Sequence, residues 1–500
     1  MIKFFQFIGD LTLFGFQTVA RFFRPPFELH QIWSQIAEVG SRSFPLVSAS
    51  GFALGVVMTL HTRSTLVMFG AGAMIPRVQS LTFFIEIGPL VAGLLVAGRV
   101  GAGIGAVLAN MRATEQIDAI EALSIDSFKF LVVPRIVACV IALPLLTVFM
   151  DFSGLIGGSC SEFFLSHLSL RLYVTRAFTD LQWSNFVPPT LKTTVFGFII
   201  GTVSAFFGYT TNEGSRRCWA GYNEQCRRLL VADHFGRRRL GQANLPHLPG
   251  ERDMSEANIA AVALDHVSKS FGNKQVLCDL SLSVANGQAL CILGRSGTGK
   301  SVTLKLMIAL LRPDAGQIRI AGVNIAKLEG EQLSHVRRKM GFLFQSAALF
   351  DSLTLHDNLA LPLRRLTNKS KPEIEEAVDR VLGQVGLASD KHKMPVELSG
   401  GMKKRAGLAR ALVLELELLL VDEPSSGLDR ITSSEIDELL LEHKTRVRTT
   451  MVIVTHDARG ARRVGDRFAV LDEGHLLAFG TIDELDHHEN TIVRKLIAEQ

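Results

Sequence analysis

The chain has 500 residues, which exceeds the usual size of one domain and predicts at least two. Its net charge of +5 is small for this length, which excludes the strongly basic composition typical of nucleic-acid-binding proteins. Six cysteines show no spacing typical of a metal site or a disulfide framework, so they indicate a reducing compartment.

Residues 1–24 predict an amphipathic helix. Polar residues recur at helical spacing along one face, and phenylalanine, leucine and isoleucine cover the rest. This distribution is typical of a helix that lies in the membrane interface. A secretory signal peptide is the alternative, but Asp10 interrupts the apolar run and no small-residue cleavage site follows. The polar positions are Lys3, Gln6, Asp10, Gln17, Arg21 and Arg24.

Four longer apolar stretches follow. A helix needs about 20 mostly apolar residues to cross a bilayer, so the first three stretches qualify, and the fourth is short but still a candidate. We therefore expect an all-α polytopic membrane domain with about four spans. The stretches are residues 43–62, 78–98, 136–160 and 193–208.

Three charged residues fall inside or beside these stretches, namely Glu86, Arg99 and Asp151. A charge inside a bilayer is costly, so a role in a transport pathway or in pairing is one interpretation. The other is that these residues lie near helix ends, with their charges at the interface. The sequence leaves both open.

Residues 294–301 spell GRSGTGKS, the pattern of a P-loop. In such a loop, glycines allow backbone N–H groups to surround the phosphates of a nucleotide. Lys300 then reaches the outer phosphates, and the Ser301 hydroxyl binds magnesium. The predicted nucleotide-binding residues of this segment are Gly294, Arg295, Ser296, Gly297, Thr298, Gly299, Lys300, Ser301 and Val302.

Two further strings follow in order, LSGGM at residues 398–402 and LLLVDEP at residues 418–424. The second is an apolar strand that ends in Asp422, placed to bind the metal, and Glu423, placed to activate a water molecule. A solvated acidic pair is the alternative, but the four apolar residues before it favour a strand end that faces the phosphates. Together with the P-loop, these strings predict ATP hydrolysis.

The three motifs resemble those of ABC ATPases, and the resemblance covers roughly residues 259–500. It implies an α/β P-loop domain with a helical subdomain that binds ATP and Mg²⁺. It also implies a homodimer, because the LSGG segment of one copy would complete the ATP site of the other. The residues that would contact the second site are Ser399, Gly400 and Gly401.

The same resemblance assigns roles to four further residues. Gln345 matches the loop that senses the nucleotide, its metal and the membrane partner, while His456 matches the histidine that positions the γ-phosphate. Asp429 matches a residue at the dimer interface. Phe271 stands where the family stacks an aromatic ring on adenine, although a core strand position is an equally good interpretation. The implied catalytic residues are Glu423, His456 and Lys300, and the implied metal-binding residues are Ser301, Gln345 and Asp422.

The membrane half carries a narrower resemblance. Residues 97–111 (AGRVGAGIGAVLANM), 114–123 (TEQIDAIEAL) and 197–209 (GFIIGTVSAFFGY) resemble the permease of MCE-associated phospholipid transporters of the lipid-asymmetry type. The charged segment at 112–126 is then implied to be the coupling helix that docks on the ATPase. Residues 344–363 of the ATPase half resemble the ATPase of the same transporters.

This resemblance implies ATP-driven translocation or extraction of phospholipid in the bacterial inner membrane, with the ATPase domain in the cytoplasm. It also implies a periplasmic MCE-domain protein and a small cytoplasmic regulatory subunit as partners. With the N-terminus inside, four spans return the chain to the cytoplasm near Tyr209, where ATP is available.

Residues 214–253 fit neither half, because they carry eight arginines, no lysine and little apolar periodicity. We expect a membrane domain at 1–213, this atypical linker at 214–253 and the ATPase domain at 254–500. A basic linker is one interpretation. The other is an out-of-frame stretch, since codons read from the second base can encode the start of the family's fifth membrane helix and a stop at Met254.

These features leave a second function open. A permease that lacks its last helix is consistent with a membrane-tethered ABC ATPase that transports nothing. An exporter of drugs or peptides is disfavoured by the short membrane domain with only four spans and by the string at 114–123.

Overall fold

The computed structural model describes residues 2–25, 27–179, 181–210, 260–414 and 416–498. The chain divides into two compact units. The first unit joins Met1–Arg112 to Asp126–Trp219, and the second joins Ala113–Ile125 to Ala220–Gln500. The atypical linker expected at 214–253 lies outside the described residues.

The described part of the first unit consists of helices. The amphipathic segment forms helix α1, and four helical stretches are long and apolar enough to cross a membrane: Leu29–Met68, Gly72–Ala113, Phe128–Ser166 and Trp183–Thr210. The prediction of four spans is therefore confirmed by length and composition. Up to residue 210 the α-helices are α1 (Ile2–Phe22), α2 (Leu29–Met68), α3 (Ile75–Thr82), α4 (Gly88–Val96), α5 (Ala102–Ala113), α6 (Gln116–Ala122), α7 (Val133–Ser166), α8 (Leu170–Phe178) and α9 (Trp183–Thr210).

Three π-helical turns interrupt these helices, at Phe83–Ile87, Ala97–Gly101 and Phe128–Val132. Near the first turn, Pro89 lacks an N–H, so the carbonyl of Ile85 loses its helical donor. The ammonium group of Lys192 donates to that carbonyl at 2.7 Å. A side chain of α9 thus satisfies a backbone acceptor that the proline leaves open.

Close helix contacts and buried polar bonds hold the bundle together. A β-carbon at Gly51 would lie 2.6 Å from the carbonyl oxygen of Met150, so only glycine allows α2 and α7 to approach this closely. Nearby, the buried Gln79 side chain accepts hydrogen bonds from Thr59 Oγ1 at 2.6 Å and from the Tyr173 hydroxyl at 2.9 Å. Polar side chains from α2, α3 and α8 therefore satisfy one another inside the unit.

The three charged residues of the apolar stretches lie in different surroundings. Glu86 and Arg99 are exposed on the surface of the first unit. Asp151 is fully buried, and neither carboxyl oxygen has a hydrogen-bond partner among the described residues.

The described part of the second unit contains two sheets and the helices that pack on them. The antiparallel sheet has the order β2-β1-β4-β5, and the larger sheet has the order β10-β9-β3-β8-β7-β6. The strands are β1 (Val262–Phe271), β2 (Lys274–Val284), β3 (Ala289–Leu293), β4 (Ala315–Ile320), β5 (Val323–Asn324), β6 (Met340–Leu343), β7 (Leu418–Asp422), β8 (Thr450–Thr455), β9 (Arg467–Asp472) and β10 (His475–Gly480).

A helical subdomain lies between β6 and β7 in sequence. After residue 260 the described α-helices are α10 (Lys300–Met307), α11 (Gly330–Arg337), α12 (Leu355–Leu366), α13 (Lys371–Gln384), α14 (Gly400–Leu412), α15 (Arg430–Val447), α16 (Ala458–Val464), α17 (Ile482–Asp486) and α18 (Thr491–Ala498). The expected α/β P-loop domain with a helical subdomain is confirmed.

Strand order explains how distant motifs meet. Strands β3, β8, β7 and β6 are consecutive neighbours and run parallel, so their carboxyl ends lie at one edge of the sheet. The P-loop follows β3, His456 follows β8, Glu423 follows β7 and Gln345 follows β6 within two residues. Ligands of open α/β sheets bind at this edge.

The segment at 112–126, expected to be a single coupling helix, is not one continuous helix. Arg112 and Ala113 end α5, and the next helix, α6, spans only Gln116–Ala122. Glu115 breaks the helix because its φ of 58° is left-handed.

Candidate nucleotide-binding site

The P-loop ends at the first residue of α10. Gly299 precedes the helix with a φ of 99°, a conformation that favours glycine. A β-carbon at this position would also lie 2.9 Å from the carbonyl oxygen of Val276. Glycine is therefore required here, as the P-loop pattern predicts.

Lys300 directs its ammonium group back into the loop. Its Nζ donates to the carbonyl oxygens of Gly294 at 2.7 Å and Arg295 at 3.0 Å, and the side chain is only 6% exposed. Burial lowers the pKa of Lys300, although the carboxylates of Glu423 and Asp422 act in the opposite direction. The loop thus encloses a cation, as phosphate binding requires. Arg295 and Ser296 are exposed on the loop, whereas Thr298 is buried and Val302 is half-buried.

Ser301 and Asp422 meet between α10 and β7. The Ser301 hydroxyl donates to Oδ1 of Asp422 at 2.9 Å, and Asp422 is 1% exposed. The pKa of Asp422 is raised to about 6, chiefly by burial; Glu115 and Glu423 add to the rise, and the bond from Ser301 opposes it. Mg²⁺ prefers hydroxyl and carboxylate oxygens completed by substrate phosphates, so this pair fits a magnesium ion.

Glu423 connects the ends of three neighbouring strands. Its Oε1 lies 3.7 Å from Nζ of Lys300, and its Oε2 lies 2.6 Å from Nδ1 of His456. The Glu423 side chain is mostly buried, whereas about half of the His456 ring is exposed. A carboxylate held between a lysine and a histidine is placed to accept a proton beside the phosphate loop.

Gln345 lies near this centre without joining it. Its side chain is exposed after β6, and among the described residues no hydrogen bond joins it to Ser301 or Asp422. The metal-binding role of Gln345 remains a prediction.

The residues expected to face a second copy are at exposed helix N-termini. Ser399 caps α14 by accepting from the backbone N–H of Met402, and Asp429 caps α15 by accepting from the N–H groups of Ile431 and Thr432. Gly400 is exposed, and a β-carbon at Gly401 would lie 2.6 Å from Cγ2 of Thr432. In the described chain, no hydrogen bond joins Ser399 or Asp429 to the P-loop.

Phe271 ends β1 with its side chain 38% exposed. The ammonium group of Lys269 lies 5.6 Å from the centre of its ring. The Phe271 ring is therefore accessible for stacking, and Phe271 is not the core strand residue that the sequence offered as an alternative.

Sequence reasoning missed Lys404, which lies in the helix that follows the LSGG string. Its buried ammonium group donates to the carbonyl oxygen of Glu423 at 2.8 Å. The pKa of Lys404 is lowered, because the effect of burial outweighs the opposing effect of the Asp422 and Glu423 carboxylates. The lysine thereby fixes the backbone that carries Glu423. Only its position one turn inside α14 could have indicated an inward-facing side chain.

Residues 113–125 belong to the same compact unit as the site. Ile117 and Ile120 are fully buried, and the side-chain amide of Gln116 donates to Asp351 at 2.9 Å. The guanidinium group of Arg337 donates to the carbonyl oxygen of Glu121 at 2.8 Å. The segment between the second and third spans is therefore packed into the ATPase fold.

Comparisons with known proteins agree with this division. Residues 32–221 match the family model for the permease MlaE, and residues 277–426 match the family model for the ABC transporter.

Two curated relatives match the second half. Over 237 residues the chain is 42% identical to the probable ribonucleotide transport ATP-binding protein mkl of Mycobacterium leprae (strain TN), covering 47% of this chain and 68% of that protein. Over 227 residues it is 38% identical to the methionine import ATP-binding protein MetN 2 of Paraburkholderia xenovorans (strain LB400), covering 44% of this chain and 58% of that protein. The chain thus spans roughly three fifths to two thirds of the length of these relatives.

Among solved structures, a dimeric bacterial ABC transporter cassette is 31% identical and has a TM-score of 0.43. The match covers 44% of this chain and 98% of that one.

Proposed function

Because the chain belongs to the ABC transporter family and carries an MlaE-type permease before its ATPase, we propose that it uses ATP hydrolysis to translocate or extract membrane phospholipid. The observation that carries this proposal is the packing of residues 113–125, which connect two candidate spans, into the ATPase unit. A permease segment held by the ATPase fold is a direct route for coupling.

The proposed chemistry is the attack of water on the γ-phosphate of ATP. The new bond joins the water oxygen to phosphorus, the bond from phosphorus to the β–γ bridging oxygen breaks, and ADP leaves. Glu423 accepts the proton of the attacking water, and Lys300 stabilises charge on the phosphates. His456 holds the Glu423 carboxylate through the contact at 2.6 Å. Magnesium, bound by Ser301 and Asp422, would supply positive charge beside the phosphates.

We further propose a homodimer with two ATP sites. Among the described residues, the exposed N-termini at Ser399 and Asp429 make no hydrogen bond to the chain's own P-loop, which is consistent with completion of each site by the partner copy. A periplasmic MCE-domain protein and a small cytoplasmic regulatory subunit complete the proposed assembly in the bacterial inner membrane. Support for the lipid substrate is the match to MlaE, whereas the names of the two curated relatives refer to ribonucleotide and methionine.

The test is ATP hydrolysis by the purified chain in lipid nanodiscs, with and without added phospholipid. Lys300→Ala and Glu423→Gln should each lower hydrolysis at least about 100-fold, and Lys369→Ala, at an exposed position in the loop before α13, should not. Fluorescent phospholipid movement in proteoliposomes should require the same two residues. If the rate of hydrolysis is the same with and without phospholipid, and no lipid movement is seen, the proposed transport is contradicted.

A second candidate function is a membrane-tethered ABC ATPase that transports nothing. The observation that favours it is the arginine-rich sequence at 214–253, where the resemblance implies a fifth membrane helix. This function predicts the same losses in the Lys300 and Glu423 variants but no response to phospholipid.

A further inference from the structure

Glu115 has an unusual backbone and an unusual position. Its φ of 58° places a non-glycine residue in the left-handed region, between α5 and α6. Such a conformation is unfavourable for a non-glycine residue and persists where surrounding contacts hold it. The contacts of the Glu115 side chain supply that restraint.

The two carboxylate oxygens of Glu115 bind different elements of the ATPase fold. Oε1 lies 3.1 Å from Nζ of Lys305, and Oε2 accepts from the hydroxyl of Ser346 at 3.2 Å and from its backbone N–H at 3.4 Å. The single hydroxyl proton of Ser346 is shared with the carbonyl oxygen of Thr114, which lies 2.8 Å from Ser346 Oγ. One carboxylate therefore bridges Lys305 and Ser346.

Both of these partners adjoin residues of the nucleotide site. Lys305 lies on α10, four residues and about one turn after Ser301, so both lie on the same face of the helix. Ser346 directly follows Gln345. The bridge therefore joins the helix that carries a metal-binding hydroxyl to the loop that carries the proposed nucleotide sensor.

The bridge is also partly shielded from water. The side chains of Lys305 and Glu115 are 22% and 21% exposed. Burial lowers the pKa of Lys305, but the carboxylates of Asp118 and Glu115 outweigh it and the net pKa is raised. Because water screens it less, the ion pair is stronger than a pair at the open surface.

Docking of the segment does not depend on Glu115 alone. Asp118 also pairs with Lys305, at 3.0 Å, but it makes no hydrogen bond to Ser346 among the described residues. Arg337 separately joins the Glu121 carbonyl to the carbonyl oxygens of Ile308 and Ala309, directly after α10. The bridge to the Gln345 loop is what distinguishes Glu115 from these contacts.

We infer that Glu115 is a positioning residue for hydrolysis, which holds α10 and the Gln345 loop in register only while the permease segment is docked. This inference rests on the proposed ATPase function. It makes turnover at the nucleotide site depend on a side chain that the membrane half contributes to the ATPase fold.

The test compares Glu115→Gln with Asp118→Asn in the full chain in nanodiscs. Each substitution removes one carboxylate charge from Lys305, but only the first weakens the link to Ser346. We expect kcat for ATP to fall about tenfold in Glu115→Gln and less than threefold in Asp118→Asn, with the Kd of a fluorescent ATP analogue within twofold in both.

Ser346→Ala supplies the second half of a double-mutant cycle. It should reproduce the loss of kcat, and Glu115→Gln combined with Ser346→Ala should be no slower than either single variant, because both act through one contact. If the two substitutions lower kcat additively, the inference is overturned. It is also overturned if a variant melts at a lower temperature and loses both kcat and ATP affinity, because that result indicates a structural role.

The two levels of proposal fail differently. If the unsubstituted chain hydrolyses no ATP, the proposed function fails and this inference falls with it. If the chain hydrolyses ATP and Glu115→Gln has unchanged kcat, only the positioning role is overturned.

Discussion

Oε2 of Glu423 lies 2.6 Å from Nδ1 of His456 and 3.3 Å from the backbone nitrogen of the same histidine. Glu423 itself has a φ of 48°, which turns the chain sharply at the end of β7. Since its other oxygen faces Lys300, the carboxylate has a defined place between the P-loop and the loop after β8. Hydrogen bonds and charge contacts with Lys300 and His456 therefore fix the position of the Glu423 carboxylate.

Glu423→Gln should lower kcat for ATP hydrolysis by about 10²–10⁴-fold, the usual contribution of a general base. The amide retains the shape of the side chain but cannot accept the proton of the attacking water. ATP affinity should persist, because Lys300 and Ser301 are unchanged. Steady-state phosphate release and binding of a fluorescent ATP analogue measure the two quantities.

Glu417→Gln is the matched control. Glu417 directly precedes β7, is exposed, and pairs with Lys339 at 2.8 Å. It should leave kcat within twofold. Comparable losses in the two variants, or full activity in Glu423→Gln, would contradict the assigned role.

The candidate nucleotide site could be named from the sequence because its residues occur in local motifs. The P-loop requires glycine at 299, and an apolar strand that ends in Asp422 and Glu423 directs both carboxylates to one sheet edge. Hydropathy likewise predicted four spans, since bilayer thickness requires long apolar runs.

Contacts between distant segments could not be predicted in this way. The bond from Lys404 to the Glu423 carbonyl and the bridge from Glu115 to Lys305 and Ser346 each depend on how separate elements pack. The helix break at Glu115 could not be predicted from the sequence either, because glutamate is a good helix former. Tertiary contacts override that preference here.

Asp437 predicts a pH-dependent stability. It is buried on α15, and burial raises its pKa to about 6, with Asp457 adding to the rise and Arg463 opposing it. An acid whose folded pKa is raised destabilises the fold as pH rises from its unfolded value of about 4. The destabilisation from ionising Asp437 reaches its full value somewhat above pH 6.

Asp437→Asn should therefore stabilise the ATPase fold at pH 8 by at most about 3 kcal/mol, since each pKa unit corresponds to about 1.4 kcal/mol. The gain should shrink at pH 5 and vanish near pH 4. Thermal unfolding of the full chain at these pH values measures it. Glu442→Gln, at an exposed site on the same helix, should show no such trend, and an equal gain at pH 5 and pH 8 would disprove the mechanism.

Gly88→Ala tests the packing of the membrane unit. A β-carbon at residue 88 would overlap Oδ1 of the buried Asp151. Because overpacking costs about 1–3 kcal/mol, the substitution should lower the melting temperature in detergent. At Gly98 nothing lies within 4 Å of an added β-carbon, so Gly98→Ala should be neutral or stabilising. Equal effects of the two alanines would contradict the close contact.

The out-of-frame interpretation of residues 214–253 predicts particular codons. Trp219 followed by any alanine codon reads as glycine from its second base, whereas Ala220 reads as arginine only if its codon is GCG. Met254 yields a TGA stop only if the codon of Ser255 begins with A. We therefore expect GCG at Ala220 and AGC or AGT at Ser255, with an apolar run between them in the second-base frame.

Sequencing the DNA decides between the two interpretations of this segment. If the codons agree, restoring the frame should yield a separate permease with a fifth apolar helix and a separate ATPase that begins at Met254. Phospholipid movement by that pair should exceed movement by the fused chain, because the resemblance implies that the fifth helix belongs to the permease. If the second-base frame lacks the apolar run and the stop, the frameshift interpretation is wrong and residues 214–253 are a basic linker, in which case the four-span chain must itself account for any transport.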